Sequence, residues 1–140
     1  MAKKVYANFR LCTGCELCSS ACSVTNFGLN NPRRSGITIK RDLFERYEVQ
    51  HICRHCEEPP CVEACISGAM IKNGENGLVE HDEAKCVGCW SCMMVCPYDA
   101  IVQIRLEAED RIVAFKCDGC PERDTPACVE VCPTEALVYQ

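Results

Sequence analysis

The sequence predicts an α+β fold of short helices and β-hairpins arranged around four tight groups of cysteine. Three observations predict it. Sixteen of the 140 residues are cysteine, and all of them fall into four groups that each close on C-x3-C. Between the groups lie short stretches of alternating apolar and polar residues broken by Gly, Asn and Pro, the pattern of hairpin strands. No low-complexity linker separates one piece from the next, so the chain reads as four repeats of loop, short helix and short strand.

Taken in order, Lys4 to Phe9 predicts a short edge strand. Cys12, Cys15, Cys18 and Cys22 follow as C-x2-C-x2-C-x3-C. Cys18 and Cys22 stand at an i,i+4 step, which puts both thiols on one helical face. Asn26-Phe27-Gly28 and Asn30-Asn31-Pro32 carry turn chemistry. Ile37–Lys40 and Tyr47–Gln50 alternate as two strands of a hairpin connected through Asp42 to Arg46. The second group, Cys53, Cys56, Cys61 and Cys65, is spaced C-x2-C-x4-C-x3-C, its extra residues falling in Glu57-Glu58-Pro59-Pro60 ahead of a helix over Val62 to Cys65. Ala69–Lys72 and Gly77–Glu80 predict a hairpin around Asn73-Gly74-Glu75-Asn76. The third group, Cys86, Cys89, Cys92 and Cys96, is followed by Pro97. Ala100–Arg105 and Arg111–Phe115 predict two more strands around Glu107 to Asp110. Cys117, Cys120, Cys128 and Cys132, spaced C-x2-C-x7-C-x3-C, precede Pro133, and the tail from Thr134 to Tyr139 predicts a turn and a last strand.

A cysteine content this high is usual in short disulfide-rich secreted chains. Residues 1–10, however, show no apolar h-region and no small-residue cleavage site, no twin-arginine pair stands near the start, and no run approaches the roughly 18–20 apolar residues of a membrane span. The expected compartment is the cytoplasm, where clustered thiols hold metal more often than they form disulfides. The formal net charge is −5, and no basic stripe of the kind that binds nucleic acid is present beyond Arg33-Arg34 and Lys40-Arg41. Arg33, Arg34, Lys40, Arg41 and Arg54 read as solvated charges, with tuning of a cluster potential or docking of a partner as the alternative.

The third group reads C-x2-C-x2-C-x3-C-P, the spacing with which bacterial ferredoxins hold a cubane iron–sulfur cluster. Three cysteines of such a loop wrap one side of a cluster, and in two-cluster ferredoxins the fourth ligates the neighbouring centre. Sixteen ligands then make four 4Fe–4S clusters. Four thiolates outweigh each oxidised core by about two charges, so the loaded protein is more acidic than its sequence and favours partners with a basic docking surface. Zinc would use the same ligand count, but zinc motifs come as separated C-x2-C pairs. The residues after each C-x2-C exclude a c-type haem. His51, His55 and His81 are left without a vacant ligand position and read as surface residues or as residues behind the ligands. Trp90 reads as a cover for a cluster, an anchor for a partner or a local packing residue. Met93 and Met94 read as helix packing. With the aliphatic core this thin, metal ligation has to supply much of the folding free energy.

His51 to Cys65, with its C-R-H-C-E-E-P-P-C run, and Lys116-Cys117-Asp118-Gly119-Cys120 with the distant Cys128 and Cys132, resemble the second and fourth motifs of the four-cluster electron-transfer subunits of the dimethyl-sulfoxide-reductase type. That family includes the small iron–sulfur subunits of carbon monoxide dehydrogenase, formate dehydrogenase, hydrogenase and tungsten aldehyde oxidoreductase complexes. This chain is shorter than the larger members, lacking their long insertions and C-terminal membrane helix. The resemblance implies two nested bacterial-ferredoxin-like units: an outer one over 1–45 and 106–140, and an inner one over 46–105. It also implies the ligand sets. One cluster takes Cys12, Cys15, Cys18 and Cys132, and another Cys117, Cys120, Cys128 and Cys22. The inner pair takes Cys53, Cys56, Cys61 with Cys96, and Cys86, Cys89, Cys92 with Cys65.

All the cysteines are then spent on ligation. No Gly-rich nucleotide fingerprint and no spare Ser/His/Asp or Cys/His pair is left for catalysis. The expected function is an electron-transfer subunit, not catalytic alone, that relays single electrons through four 4Fe–4S clusters. Its expected partners are a catalytic redox subunit, of carbon monoxide dehydrogenase, tungsten/molybdenum oxidoreductase or hydrogenase type, and a second donor or acceptor. A free, diffusible polyferredoxin serving several enzymes is the alternative, and a zinc-stabilised interaction module the remote one.

Overall fold

The computed structural model describes residues 3–45 and 47–140. The readings of residues 1–10 and of the connector ending at Arg46 extend onto Met1, Ala2 and Arg46, which lie outside the described residues. Among the described residues, eight short strands pair two by two into antiparallel ribbons. β1 (Val5–Ala7) pairs with β8 (Leu137–Tyr139), Val5 opposite Tyr139, and so joins the two far ends of the sequence. β2 (Ile37–Asp42) pairs with β3 (Tyr47–Ile52). β4 (Met70–Lys72) pairs with β5 (Val79–His81), and β6 (Val102–Leu106) with β7 (Arg111–Phe115). The helices are α1 (Leu17–Phe27), α2 (Pro60–Ala64), α3 (Ser91–Val95) and α4 (Ala127–Glu130). Each begins within a cysteine group. Among the described residues no helix is long and apolar enough to cross a membrane.

Packing follows the order in which groups meet rather than the order of the chain. α1 packs against α4, and α2 against α3. The apolar residues bury into two cores. One gathers Val5, Ile37, Ile52 and Leu137 with Cys18, Cys22, Cys117 and Cys128. The other gathers Met70, Val79, Ile101 and Ala114 with Cys61 and Cys92. Fully burying one aliphatic side chain stabilises by about 1.5–3 kcal/mol, and each core holds only a few. Cysteine therefore supplies much of the buried surface.

The elements stand where the alternation and turns place them, with differences that have local causes. α1 continues through Asn26 and Phe27, the residues that read as a turn, and Gly28 alone ends it in the left-handed region. Asn26 Nδ2 bonds the Cys22 carbonyl at 2.9 Å, an i→i−4 bond that holds the side chain against the helix. The other three helices stop at or before the fourth cysteine of their group. Cys96 and Cys132 precede proline, which pushes the preceding residue out of the helical region, and Cys96 is extended. Ala69 reads as a strand residue, but its N–H turns to the Cys65 thiol at 3.2 Å instead of entering a ladder. Ala100 and Ile101 are buried ahead of β6 rather than paired in it.

Candidate metal centres

Each cysteine loop is built around a residue with positive φ two places after its first cysteine. Gly14, Gly88 and Gly119 fill this place in groups one, three and four, and His55 fills it in group two. The conformation turns the N–H of that residue back on the first thiol: Gly14 to Cys12, His55 to Cys53 and Gly119 to Cys117, each at 3.4 Å. A histidine there is strained, and its surroundings hold it. The His55 side chain is buried, its Nδ1 accepts the Val79 N–H at 3.0 Å, and its carbonyl accepts from Lys4 Nζ at 2.8 Å and Lys72 Nζ at 3.2 Å. Burial, with Lys116 and two further lysines nearby, lowers its pKa to about 3. His55 is thus an interior residue behind the second loop, whereas His51 bonds the Tyr98 carbonyl through Nδ1.

The structure brings the predicted cysteines together in sets. Cys12, Cys15, Cys18 and Cys132 line one cavity with Thr13, Ile39, Gln50 and Leu137. Cys53, Cys56, Cys61 and Cys96 line another with Pro60, Tyr98, Ile101 and Lys116. The remaining two sets show themselves electrostatically. Cys65 lies close enough to Cys89 and Cys92 for its charge to oppose their ionisation, and Cys22 acts in the same way on Cys117, Cys120 and Cys128. In every set the fourth thiol comes from a different cysteine group. Among the described residues, no three His, Cys, Asp or Glu side chains converge on a single metal ion.

The thiols differ in how readily they ionise. Burial raises Cys18 and Cys92 to about 11 and Cys117 to about 12, and pushes Cys128 up further. Thiolate at these positions requires positive charge brought from outside the chain, which iron supplies on binding. At Cys65 burial works upward, but N–H bonds from Met70 and Ala69 and the Ser67 hydroxyl outweigh it and lower the pKa. The N–H of Ser91 lowers exposed Cys89. Donors already stand at the lent thiols: Gly36 N–H reaches Cys22 Sγ at 3.3 Å and Ala69 N–H reaches Cys65 Sγ at 3.2 Å. Convergent thiols, N–H groups aimed at sulfur and buried positions that ionise only against iron all fit a cubane cluster. Such a cluster takes up and gives back single electrons when bound.

Several residues behave otherwise than their sequence context suggests. Met93 packs against the second core, but Met94 is 85% exposed and packs no helix. Trp90 caps α3 with positive φ and packs against the second core. Arg41 is not merely solvated, since its Nη2 donates to the Gly14 carbonyl. Arg34 lies over the Phe27 ring and Arg54 over the Tyr98 ring. Basic side chains that reading by spacing passes over clamp the loops as well. Lys72 Nζ donates to the Cys56 carbonyl at 2.7 Å, Arg111 Nη1 to the Cys86 carbonyl at 2.8 Å, and Lys116 Nζ to the Cys117 carbonyl at 3.0 Å. A lone lysine beside a strand is usually solvated, so the sequence carries no mark of these roles.

Comparison with known proteins agrees with this chemistry. The chain is 34% identical over 139 residues to the thiosulfate reductase electron transfer subunit PhsB of Salmonella typhi, covering 91% of this chain and 70% of that one. It is also 34% identical over 139 residues to Protein NrfC of Escherichia coli K12, covering 92% of this chain and spanning 60% of the relative. The fold is that of a chain in the active site complex BamBC of benzoyl coenzyme A reductase with benzoyl-CoA, with a TM-score of 0.56 at 24% identity over 99% of this chain and 78% of that one. The family profile described as 4Fe-4S dicluster domain matches residues 44–140, which hold cysteine groups two, three and four. The chain binds more than one 4Fe–4S cluster and belongs to the 4Fe-4S dicluster domain family.

Proposed function

We propose that this chain is an electron-transfer subunit, not catalytic by itself, that relays single electrons through four 4Fe–4S clusters. The observation that carries the reading is the grouping of sixteen thiols into four sets that neighbour one another in a row. The Cys12 set neighbours the Cys117 set through Cys18 and Cys128. The Cys117 set neighbours the Cys53 set through Cys117 and Cys53. The Cys53 and Cys86 sets meet where α2 packs on α3. Of the sixteen cysteines, Cys15 and Cys89 are exposed, and they belong to the two terminal sets of that row. An electron arrives near one and leaves near the other, and the thiols of the two middle sets are buried or partly buried. The ligand exchange between groups and the packing of α1 on α4 and α2 on α3 support two nested ferredoxin-like units, the outer from groups one and four and the inner from groups two and three.

The relay works in the cytoplasm, where its thiols stay reduced, between a catalytic redox subunit and a second donor or acceptor. The relative named as an electron transfer subunit of thiosulfate reductase supports a catalytic partner. Carbon monoxide dehydrogenase and tungsten or molybdenum oxidoreductases are the partner classes that the motif resemblance favours. The test is anaerobic purification of the native complex with iron and sulfide analysis. About 16 iron per chain is the expectation for four cubane centres, together with a co-eluting redox enzyme. A zinc-only preparation sinks the reading, and a brown protein that elutes alone replaces the subunit with a diffusible carrier.

A further inference from the structure

Lys116 follows the last residue of β7 and precedes Cys117. It is 3% exposed. Its Nζ donates to the carbonyls of Val79 and Cys117, and among the described residues no carboxylate forms an ion pair with it. An ammonium group buried without a counter-charge costs several kcal/mol, so a position like this persists only where negative charge stands close by. Two sources are present. Lys116 lines the cavity of Cys53, Cys56, Cys61 and Cys96, and it adjoins Cys117 of the next set. Its charge also favours ionisation at Cys53 and Cys61. The loop of group two itself carries two ammonium groups, Lys72 on the carbonyls of His55 and Cys56, and also of Gly77, and Lys4 on that of His55. Among the described residues, the loops of groups one and three carry a single guanidinium each on a cysteine-loop carbonyl, from Arg41 and Arg111. Beside the fourth loop, Asp118 works against ionisation of Cys117 and Cys120, and Arg123 favours it at Cys120 alone.

We propose that Lys116 is a positioning residue for electron transfer, its buried ammonium making the Cys53–Cys56–Cys61–Cys96 centre the most easily reduced of the four, at the junction of the outer and inner units. A fixed cation stabilises whichever neighbour gains an electron, because reduction adds one negative charge. As one electron leaves the Cys117 set, one enters the Cys53 set, with no proton or ligand exchanged; a one-electron donor protein supplies it and an acceptor removes it. The middle of the row is then an electron sink, and both ends must exchange electrons with it. The proposal rests on the four-set relay reading.

The test is an EPR-monitored redox titration of the anaerobically purified full-length chain, with iron and sulfide measured alongside. The signal of the Cys53 set is assigned by its change in Cys56→Ser. Lys116→Met keeps the length and removes the charge. It is expected to retain iron and to lower the reduced-to-oxidised ratio of the Cys53 set at least tenfold at a fixed potential, a fall of about 59 mV in midpoint. Lys116→Arg is expected to stay within threefold of the parent, and Lys40→Met, at an exposed ion pair with Asp99, to change nothing. A Lys116→Met protein with full iron and an unmoved midpoint overturns the proposal. If that variant loses a cluster, Lys72→Met decides: removal of the second ammonium must lower the same ratio at least threefold, and no change there overturns the proposal too. A parent chain with fewer than four clusters instead sinks the relay reading, which the iron analysis reports separately.

Discussion

Two residues show how little space and charge the thiol loops leave to choose. Gly36 carries no side chain because there is nowhere to put one: a Cβ there meets the Cys117 backbone nitrogen at 2.7 Å and its Cα at 2.8 Å. The close approach also brings the Gly36 N–H to Cys22 Sγ, so one residue packs against two ligands of one set. Gly36→Ala is expected to cost about 1–3 kcal/mol by overpacking and to disturb the cluster of Cys22, Cys117, Cys120 and Cys128 before the others. Chemical denaturation and cluster-resolved EPR read these two effects. His81 lies on β5 with its Nε2 buried and unpartnered. Burial, with Lys116 nearby, lowers its pKa, and Asp82 opposes this only in part. The folded state therefore binds a proton at His81 less readily than the unfolded chain, whose histidines titrate near 6.5. Stability is full above that value and falls as pH drops below it towards the depressed folded value. Anaerobic melts between pH 7.5 and 5.5, with the cluster absorbance intact, are expected to show that decline. His81→Gln, which does not titrate, is expected to lessen that slope without abolishing it, because buried His55, its pKa lowered to about 3, contributes in the same window; an equal slope in both proteins removes His81 as a cause.

Elements are held less by their own propensity than by what closes over them. β8 places Leu137, 3% exposed, against the cavity of Cys12, Cys15, Cys18 and Cys132, and pairs it with Ala7 of β1. Leu137→Ala is expected to cost about 2–5 kcal/mol and to make the Cys12 set the first to bleach in air. Uniform bleaching of all signals would show that β8 does not cover that set. Most strands were legible because alternation and Gly/Asn turns act locally: Arg111–Phe115 is predicted and found residue for residue, and the hairpin through Asn73 to Asn76 closes with the Gly77 N–H on the Asn73 carbonyl at 3.0 Å. The errors fall where a thiol competes with the backbone, as at Ala69. They also fall where a helix runs on past its fourth cysteine, as α1 does past Cys22. The thiol groups were legible because a metal loop needs fixed spacing. The lysines behind them were not, because a lysine lends its charge from anywhere in sequence: Lys4, Lys72 and Lys116 meet only once β1, β4 and β7 are assembled.

At the scale of the whole molecule, the proposed lending of one thiol per group leaves no loop complete alone. In that proposal Cys22 serves the set of the fourth group, Cys132 that of the first, Cys65 that of the third and Cys96 that of the second. A cluster assembled at any set therefore ties together two segments far apart in sequence, up to the full span from Cys12 to Cys132, and shortens the path between neighbouring sets by putting two ligands of one C-x3-C step on different centres. This makes a sharp prediction for Cys96→Ser. With ligands shared in this way, the damage appears at the centre of Cys53, Cys56 and Cys61 rather than at that of Cys86, Cys89 and Cys92, although the changed residue stands four places after Cys92. Up to about four of the expected 16 iron are lost, and the EPR signal that Cys56→Ser also alters is the one that disappears. Loss at the Cys86 centre instead would mean that each group keeps its own four ligands, which would remove both the nesting of the units and the contact of sets in a row on which the relay depends.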